Sequence, residues 1–169
     1  MDRYANGDAS AFAEVYDRLA PRMLAFLRRG TGNEALAEEL LQQTFLQMHL
    51  ARERYQRGLD VVPWAFAIAR RLRIDVFRKS GREVLGQDVA DRESSEIAPD
   101  DAVALQQTAD SLRRSLAELP PAQREAFELV KTEGLSHAQA AEALGTTVTA
   151  IKLRVHRATE TLRLVARMP

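Results

Sequence analysis

Thr149, Leu153, His156 and Arg157, with Lys152 at one edge, recur at a spacing that puts them on one side of a helix. At about 100° per residue, with Ile151 as origin, they occupy roughly 140–240°. Ile151, Val155, Ala158, Leu162 and Val165 gather on the other side. One stripe packs; the other carries donors for phosphate oxygens and base edges, and one apolar side chain suited to a thymine methyl. Glu160 is the acidic exception, toward the far end. Just upstream, Ser136 and Gln139 have the spacing of a capping box, Ala140, Ala141 and Leu144 form an apolar stripe, and Gly145 supplies the left-handed stop. Thr146 and Thr147 offer the next N-cap. A helix, a short turn containing Gly and a second amphipathic helix predict a helix-turn-helix, whose second helix enters the major groove of DNA. The competing reading is a helical hairpin with a merely solvated basic face.

A second basic surface lies between Pro63 and Lys79. Ala65, Ile68, Ala69, Leu72 and Val76 form a core stripe, and Arg70, Arg71, Arg73 and Arg78 cover the opposite arc. Phe66, Ile74 and Phe77 are interleaved among the arginines, and Lys79 and Arg82 follow. Guanidinium groups hold phosphates, and aromatic faces stack on unpaired bases with little regard to sequence, so this mixture suits single-stranded or opened DNA. Two packing alternatives stand beside that reading: Phe66 and Phe77 tucked into the core, and Trp64 as a packing anchor instead of a base-stacking residue.

Nothing comparable supports catalysis. His49, His137 and His156 lack metal-ligand spacing, no H-E-x-x-H or Gly-rich phosphate loop occurs, and adjacent Glu38 and Glu39 point in different directions. The chain has no cysteine, hence no thiolate nucleophile and no Cys-based zinc site. The expectation is a non-enzyme without metal or cofactor.

The 169 residues carry 24 basic and 24 acidic side chains, a neutral total that hides segregation. Residues 1–82 hold 14 basic and 10 acidic groups, residues 83–107 hold 1 and 7, and residues 108–169 hold 9 and 7. Two basic domains joined by an acidic strap is the resulting description. No apolar run reaches the roughly 18–20 residues of a membrane span, and the start MDRYANGDAS lacks a signal peptide's apolar core. A cytoplasmic protein without membrane insertion is expected.

The elements that must position these surfaces are all helical. Asp8 caps a first helix carrying Phe12, Val15, Leu19 and Met23, in which Pro21 either kinks the chain or opens a second segment. Gly30 and Gly32 end it. Asn33 caps a long helix with Leu36, Leu40, Leu41, Thr44, Phe45 and Met48. A loop from Arg57-Gly58 closes at Pro63, a favoured first helical residue, and the next helix reaches about Lys79. Residues 83–100 mix Gly, Ser, Pro and acids without periodicity and read as a flexible linker. Asp100 or Asp101 caps a helix carrying Leu105, Ala109, Leu112, Leu116 and Leu119, which Pro120-Pro121 breaks. The predicted fold is all-α, with small helical domains over 1–82 and 101–169.

From about Ala11 to Arg163 the chain resembles the extracytoplasmic-function (group 4) bacterial RNA polymerase sigma factors. AEELLQQTFLQMH is similar to that family's core-binding segment, and PWAFAIARRLRIDVFRKSGR to its promoter-melting and −10-reading helix. LPPAQREAF, EGLSHAQAAEALG and VTAIKLRVHRATETLR follow its −35-reading domain. The resemblance implies a promoter-specificity subunit with a region 2-like domain, an acidic linker and a region 4-like domain. It implies that Glu39, Leu40, Gln42 and Gln43 meet core polymerase. It places Arg70, Arg71, Arg73, Phe77, Arg78 and Lys79 at the −10 element, and Arg124, Thr149, Ala150, Lys152, Leu153, His156 and Arg157 at the −35 element. The loop Glu53–Pro63 matches the segment that captures a flipped −10 base. Core RNA polymerase, promoter DNA and an anti-sigma factor are the implied partners of a chain expected to be monomeric when free. Gln43 stands where Glu is usual, Arg71 where Asn is common and Leu153 where Ser is frequent. The runner-up is a stand-alone helix-turn-helix regulator, against which the linker's lack of a coiled-coil seam counts.

Overall fold

The computed structural model describes residues 1–83 and 114–165. The linker expected over 83–100 and the cap at Asp100 or Asp101 lie outside the described residues, apart from Glu83. So do Leu105, Ala109 and Leu112.

Among the described residues no strand forms. A short α1 (Asp2–Ala5) precedes α2 (Ala11–Thr31) and α3 (Glu34–Leu50). A 3-10 turn (Arg52–Arg54) leads to α4 (Val61–Glu83). In the second half, residues 114–118 are helical, followed by α5 (Pro121–Phe127), which runs into a π-helical turn (Glu128–Thr132), then α6 (His137–Ala143) and α7 (Val148–Val165).

The helix ends follow local chemistry. The Asn33 side chain accepts the Leu36 N–H at 3.0 Å and starts α3. Gly32, at φ +62°, terminates α2 in the left-handed region that a side chain disfavours. Ser136 and Gln139 form both arms of the expected capping box on α6. Gly145 has φ +60°, and the Thr147 hydroxyl accepts the Ala150 N–H at 3.2 Å to open α7.

Three boundaries differ from expectation. Asp8 does not cap α2 directly; its carboxylate accepts the N–H of Ser10, the residue just before the helix begins. Helix α2 carries Pro21 internally and continues through Gly30 to Thr31. Helix α4 begins at Val61, because Asp60 accepts the Val62 N–H at 2.9 Å, and it extends to Glu83. Pro63 then falls in the first turn, where its missing N–H costs no intrahelical bond.

Helices α2, α3 and α4 enclose one core built on Leu19, Met23, Phe26, Leu27, Leu40, Met48, Phe66 and Ala69, all essentially excluded from solvent. Each fully buried Leu, Met or Phe contributes about 1.5–3 kcal/mol, whereas fully solvated ion pairs such as Arg3–Asp8 add little. Apolar packing therefore holds the bundle. The second half adds Leu129, Leu135, Ala140, Ile151 and Val155, with Leu119, Ala158 and Leu162 as a satellite cluster. The two halves are packed together: α4 lies against α6, and the buried residues of both belong to one continuous cluster.

Candidate nucleic-acid and polymerase interfaces

Helix α7 separates its two stripes as the spacing requires. Ile151, Val155, Ala158 and Leu162 are buried, whereas Thr149, Lys152, Leu153, His156 and Arg157 are exposed. Ala150 is half-buried. Leu153 is 47 % exposed, an apolar side chain standing in a polar face. Arg124 reaches this half from α5, half-buried, with its guanidinium donating to the Ala117 carbonyl at 3.1 Å. The basic face has no packing partner among the described residues and keeps its donors free for an incoming polyanion.

Helix α4 is divided where the sequence pattern is continuous. Arg71, Ile74, Phe77, Arg78 and Lys79 are exposed. Phe66 is not interleaved with them; it is fully buried, edge-on to Phe26 at 5.4 Å between ring centres. Arg73 is also buried, at 7 % exposure, against the expectation of an open DNA-facing arginine. Its guanidinium lies 4.4 Å from the Phe26 ring centre and donates to the Glu125 carboxylate at 3.0 Å. Arg70 donates twice to the other oxygen of Glu125, at 3.0 and 2.9 Å. The physical reason is tertiary. At about 100° per residue, Phe66, Arg73 and Arg70 share the flank roughly 80–140° from Ala65, and the second half covers that flank.

The close approach has a backbone condition. A Cβ on Gly30 would stand 2.2 Å from Arg73 Nη1 and 2.6 Å from its Cδ, so only glycine lets Arg73 lie across α2. Glu128, the next acid on this face, sits 3.9 Å from Arg73 Nη1. Burial pushes its carboxyl above the usual 4.5, and Arg73, Arg124 and Arg29 pull the other way without cancelling the shift. Arg29 pairs with the buried carboxylate of Glu133, and Arg22 donates to the Glu133 carbonyl oxygen.

The loop before α4 forms a cleft of about 260 Å³ lined by Arg54, Tyr55, Leu59, Asp60, Trp64 and Glu142. The Tyr55 ring lies 5.3 Å from Trp64, centre to centre, and its hydroxyl donates to the Leu59 carbonyl. Burial, then the carboxylates of Asp2, Asp60 and Glu142, raise the Tyr55 phenol above its ordinary range, so it remains a neutral donor. Trp64 is half-buried, packed on the core as the anchoring alternative expected, and also lines this cleft. Glu142 belongs to α6, and Gln139 of the same helix donates to Asp60, so the second half forms one wall of the cleft.

On α3, Glu39 and Gln42 are exposed, and Gln43 donates to Glu39 at 2.9 Å. Leu40, which the resemblance grouped with this face, is 1 % exposed and lies on the core side of the helix with the other apolar residues. The face continues through Leu46 and Leu50, 55 % and 65 % exposed, which the sequence reading passed over. The signal was available: Glu39, Gln43, Leu46 and Leu50 are spaced by four, three and four, so they share one side of the helix. Among the described residues no cluster of His, Asp or Glu could hold a metal ion, and no helix is long and apolar enough to cross a membrane.

Two packed helical halves, one ending in an open basic helix-turn-helix and the other presenting an Arg- and Phe-bearing helix, define the class of DNA-binding proteins. Residues 15–83 match the model of Sigma-70 region 2, and residues 109–162 that of Sigma-70, region 4. The chain is 39 % identical over 171 residues to the RNA polymerase sigma factor CarQ of Myxococcus xanthus, covering 96 % of this chain and 93 % of that one. It is 36 % identical to the ECF RNA polymerase sigma factor SigF of Caulobacter vibrioides, covering 96 % and 89 %. Its fold is similar to that of the sigma factor RpoE of Bartonella quintana in a co-crystal with the anti-sigma factor NepR (TM-score 0.77, 28 % identity, 95 % of this chain and 99 % of that one). The chain belongs to the ECF sigma factors: it is a promoter-specificity subunit of RNA polymerase and not an enzyme.

Proposed function

We propose that the two halves divide promoter recognition between them. In this reading α7 meets the −35 element through Thr149, Ala150, Lys152, Leu153, His156 and Arg157, with Arg124 steadying the DNA backbone. The exposed arc of α4 (Arg71, Phe77, Arg78 and Lys79, joined by Arg70 and Arg73 when they are uncovered) meets the −10 element, and the cleft at Tyr55 and Trp64 takes an unstacked base. The face of Glu39, Gln42 and Gln43, extended by Leu46 and Leu50, docks on core polymerase. The observation that carries the reading is the separation on α7, where the basic side chains are exposed while the apolar stripe is buried.

The domain assignment follows the same division: 1–82 for polymerase binding and −10 melting, 83–100 as a linker, and 101–169 for the −35 element. Acting with core polymerase places the protein in the cytoplasm. An anti-sigma factor is proposed as the inhibitory partner, supported by the fold's likeness to RpoE bound to NepR.

Run-off transcription on genomic fragments with purified core polymerase tests the reading. Specific transcripts should depend on this chain and disappear with Arg157→Ala. Binding to DNA without any transcript in the presence of core enzyme would overturn it.

A further inference from the structure

The arginines assigned to the −10 element and the cleft beside them are the places where the second half of the same chain is seated. Arg70 and Arg73 give three hydrogen bonds to one carboxylate, Glu125, across 52–55 residues of sequence. Arg29 pairs with Glu133, and Glu128 faces Arg73. Three acids of α5 and the turns that follow it thus oppose three arginines of α2 and α4. Glu142 adds a fourth carboxylate at the base-sized cleft, beside the Gln139–Asp60 contact. A carboxylate bridging two guanidinium groups presents the charge and the acceptor geometry that a phosphate would present.

We propose that Glu125 is an autoinhibitory latch: it occupies Arg70 and Arg73 in place of DNA phosphates, so the −35 half closes the −10 face of the free protein. The inference rests on the reading of α4 as the −10 surface. Single-stranded DNA and Glu125 compete for the same donors, and the chain must open before α4 and the Tyr55–Trp64 cleft engage DNA together. The exposed face of α7 takes no part in the closure and stays available, so duplex contact through α7 can precede opening.

The chain has no cysteine, so pairs of dyes can be attached to the full-length protein at cysteines introduced in place of exposed Asp17 and Thr161. Energy transfer between them reads closure without DNA. Losing a charged hydrogen bond costs about 1.5–3 kcal/mol, so Glu125→Gln should raise the open-to-closed ratio about tenfold or more. Arg70→Gln should also open the chain, and the double variant should open little further than Glu125→Gln alone, because both changes break one contact.

A mixed-sequence single-stranded oligonucleotide should then open the wild type, and it should bind Glu125→Gln more tightly than Glu118→Gln. The latter removes the same charge from an exposed position outside the contact. Unaltered transfer in Glu125→Gln and Arg70→Gln would overturn the latch. Opening of Glu125→Gln without a gain in oligonucleotide affinity over Glu118→Gln would overturn the occlusion while leaving the contact. Failure of the opened Glu125→Gln protein, which keeps every arginine of α4, to bind the oligonucleotide at all would instead remove the −10 reading of α4, a separate result because closure is measured without DNA.

Discussion

Gly30→Ala places a single methyl group where α2 and α4 cross. The new carbon would lie 2.2 Å from Arg73 Nη1, 2.6 Å from Cδ and 2.9 Å from Cζ, so the guanidinium must leave its place. Displacement forfeits the charged hydrogen bond to Glu125, about 1.5–3 kcal/mol, and the stacking over Phe26, about 0.5–2 kcal/mol. Against this, alanine favours the helix over glycine by about 0.5–1 kcal/mol. Only the Glu125 bond spans the two halves, so closure weakens by about 1.5–3 kcal/mol, on the order of ten- to a hundred-fold in the open-to-closed ratio, while the lost stacking and the helical gain both act on the folding stability of the first half. The same dye pair reports this ratio, and far-UV circular dichroism should show helix content kept. The combination expected is an opened chain with an intact α2. A Gly30→Ala protein that stays closed and unfolds at a higher temperature would refute the reasoning, since Arg73 would then slide aside at no cost and the helical gain would prevail.

Glu128→Gln should behave differently from Glu125→Gln. A carboxyl whose folded pKa is raised favours the folded state at low pH, and that contribution is lost as pH rises through the raised value. The variant should therefore be at least as stable as wild type near pH 7.5 by urea unfolding, with the advantage vanishing as pH falls toward about 4.5; a deficit that grows with pH would mean that attraction to Arg73 outweighs desolvation. Leu46→Ala with Leu50→Ala should weaken core-polymerase binding by about tenfold or more while leaving the fold unchanged, because both side chains are exposed and neither fills the core; a pull-down titration checks this, and undiminished binding would remove the apolar extension of that face. Lys152→Ala should weaken binding to all duplexes alike and lower the salt slope, whereas Arg157→Ala should cost about 1–3 kcal/mol with partial loss of sequence preference; promoter and scrambled duplexes compared at two salt concentrations separate the two.

The sequence by itself determined the features whose causes lie within a few residues along the chain. The α6 capping box depends on Ser136 and Gln139, the α2 and α6 stops on Gly32 and Gly145, and the α7 stripe on residues three and four apart. Each is a local hydrogen bond, a backbone preference or a helical period, so each was legible, and the motifs in order identified the family. Leu46 was legible in principle too, but an exposed leucine looks the same in sequence as a buried one until the helix's packed side is known.

Tertiary structure alone decided the state of α4. Helical periodicity puts Arg70 and Arg73 outside the core stripe, and solvent and a second domain are equally consistent with that position. What fills it is Glu125, more than fifty residues away in sequence, which meets Arg73 where that side chain lies over the bare surface of Gly30. Phe66 was left open between the arginine face and the core for a related reason: a period gives the angle of a side chain, while the width of the buried arc depends on how many neighbours close around the helix. Burial, charge pairing and the raised carboxyl of Glu128 are properties of that closure, and they arise only when the two halves meet.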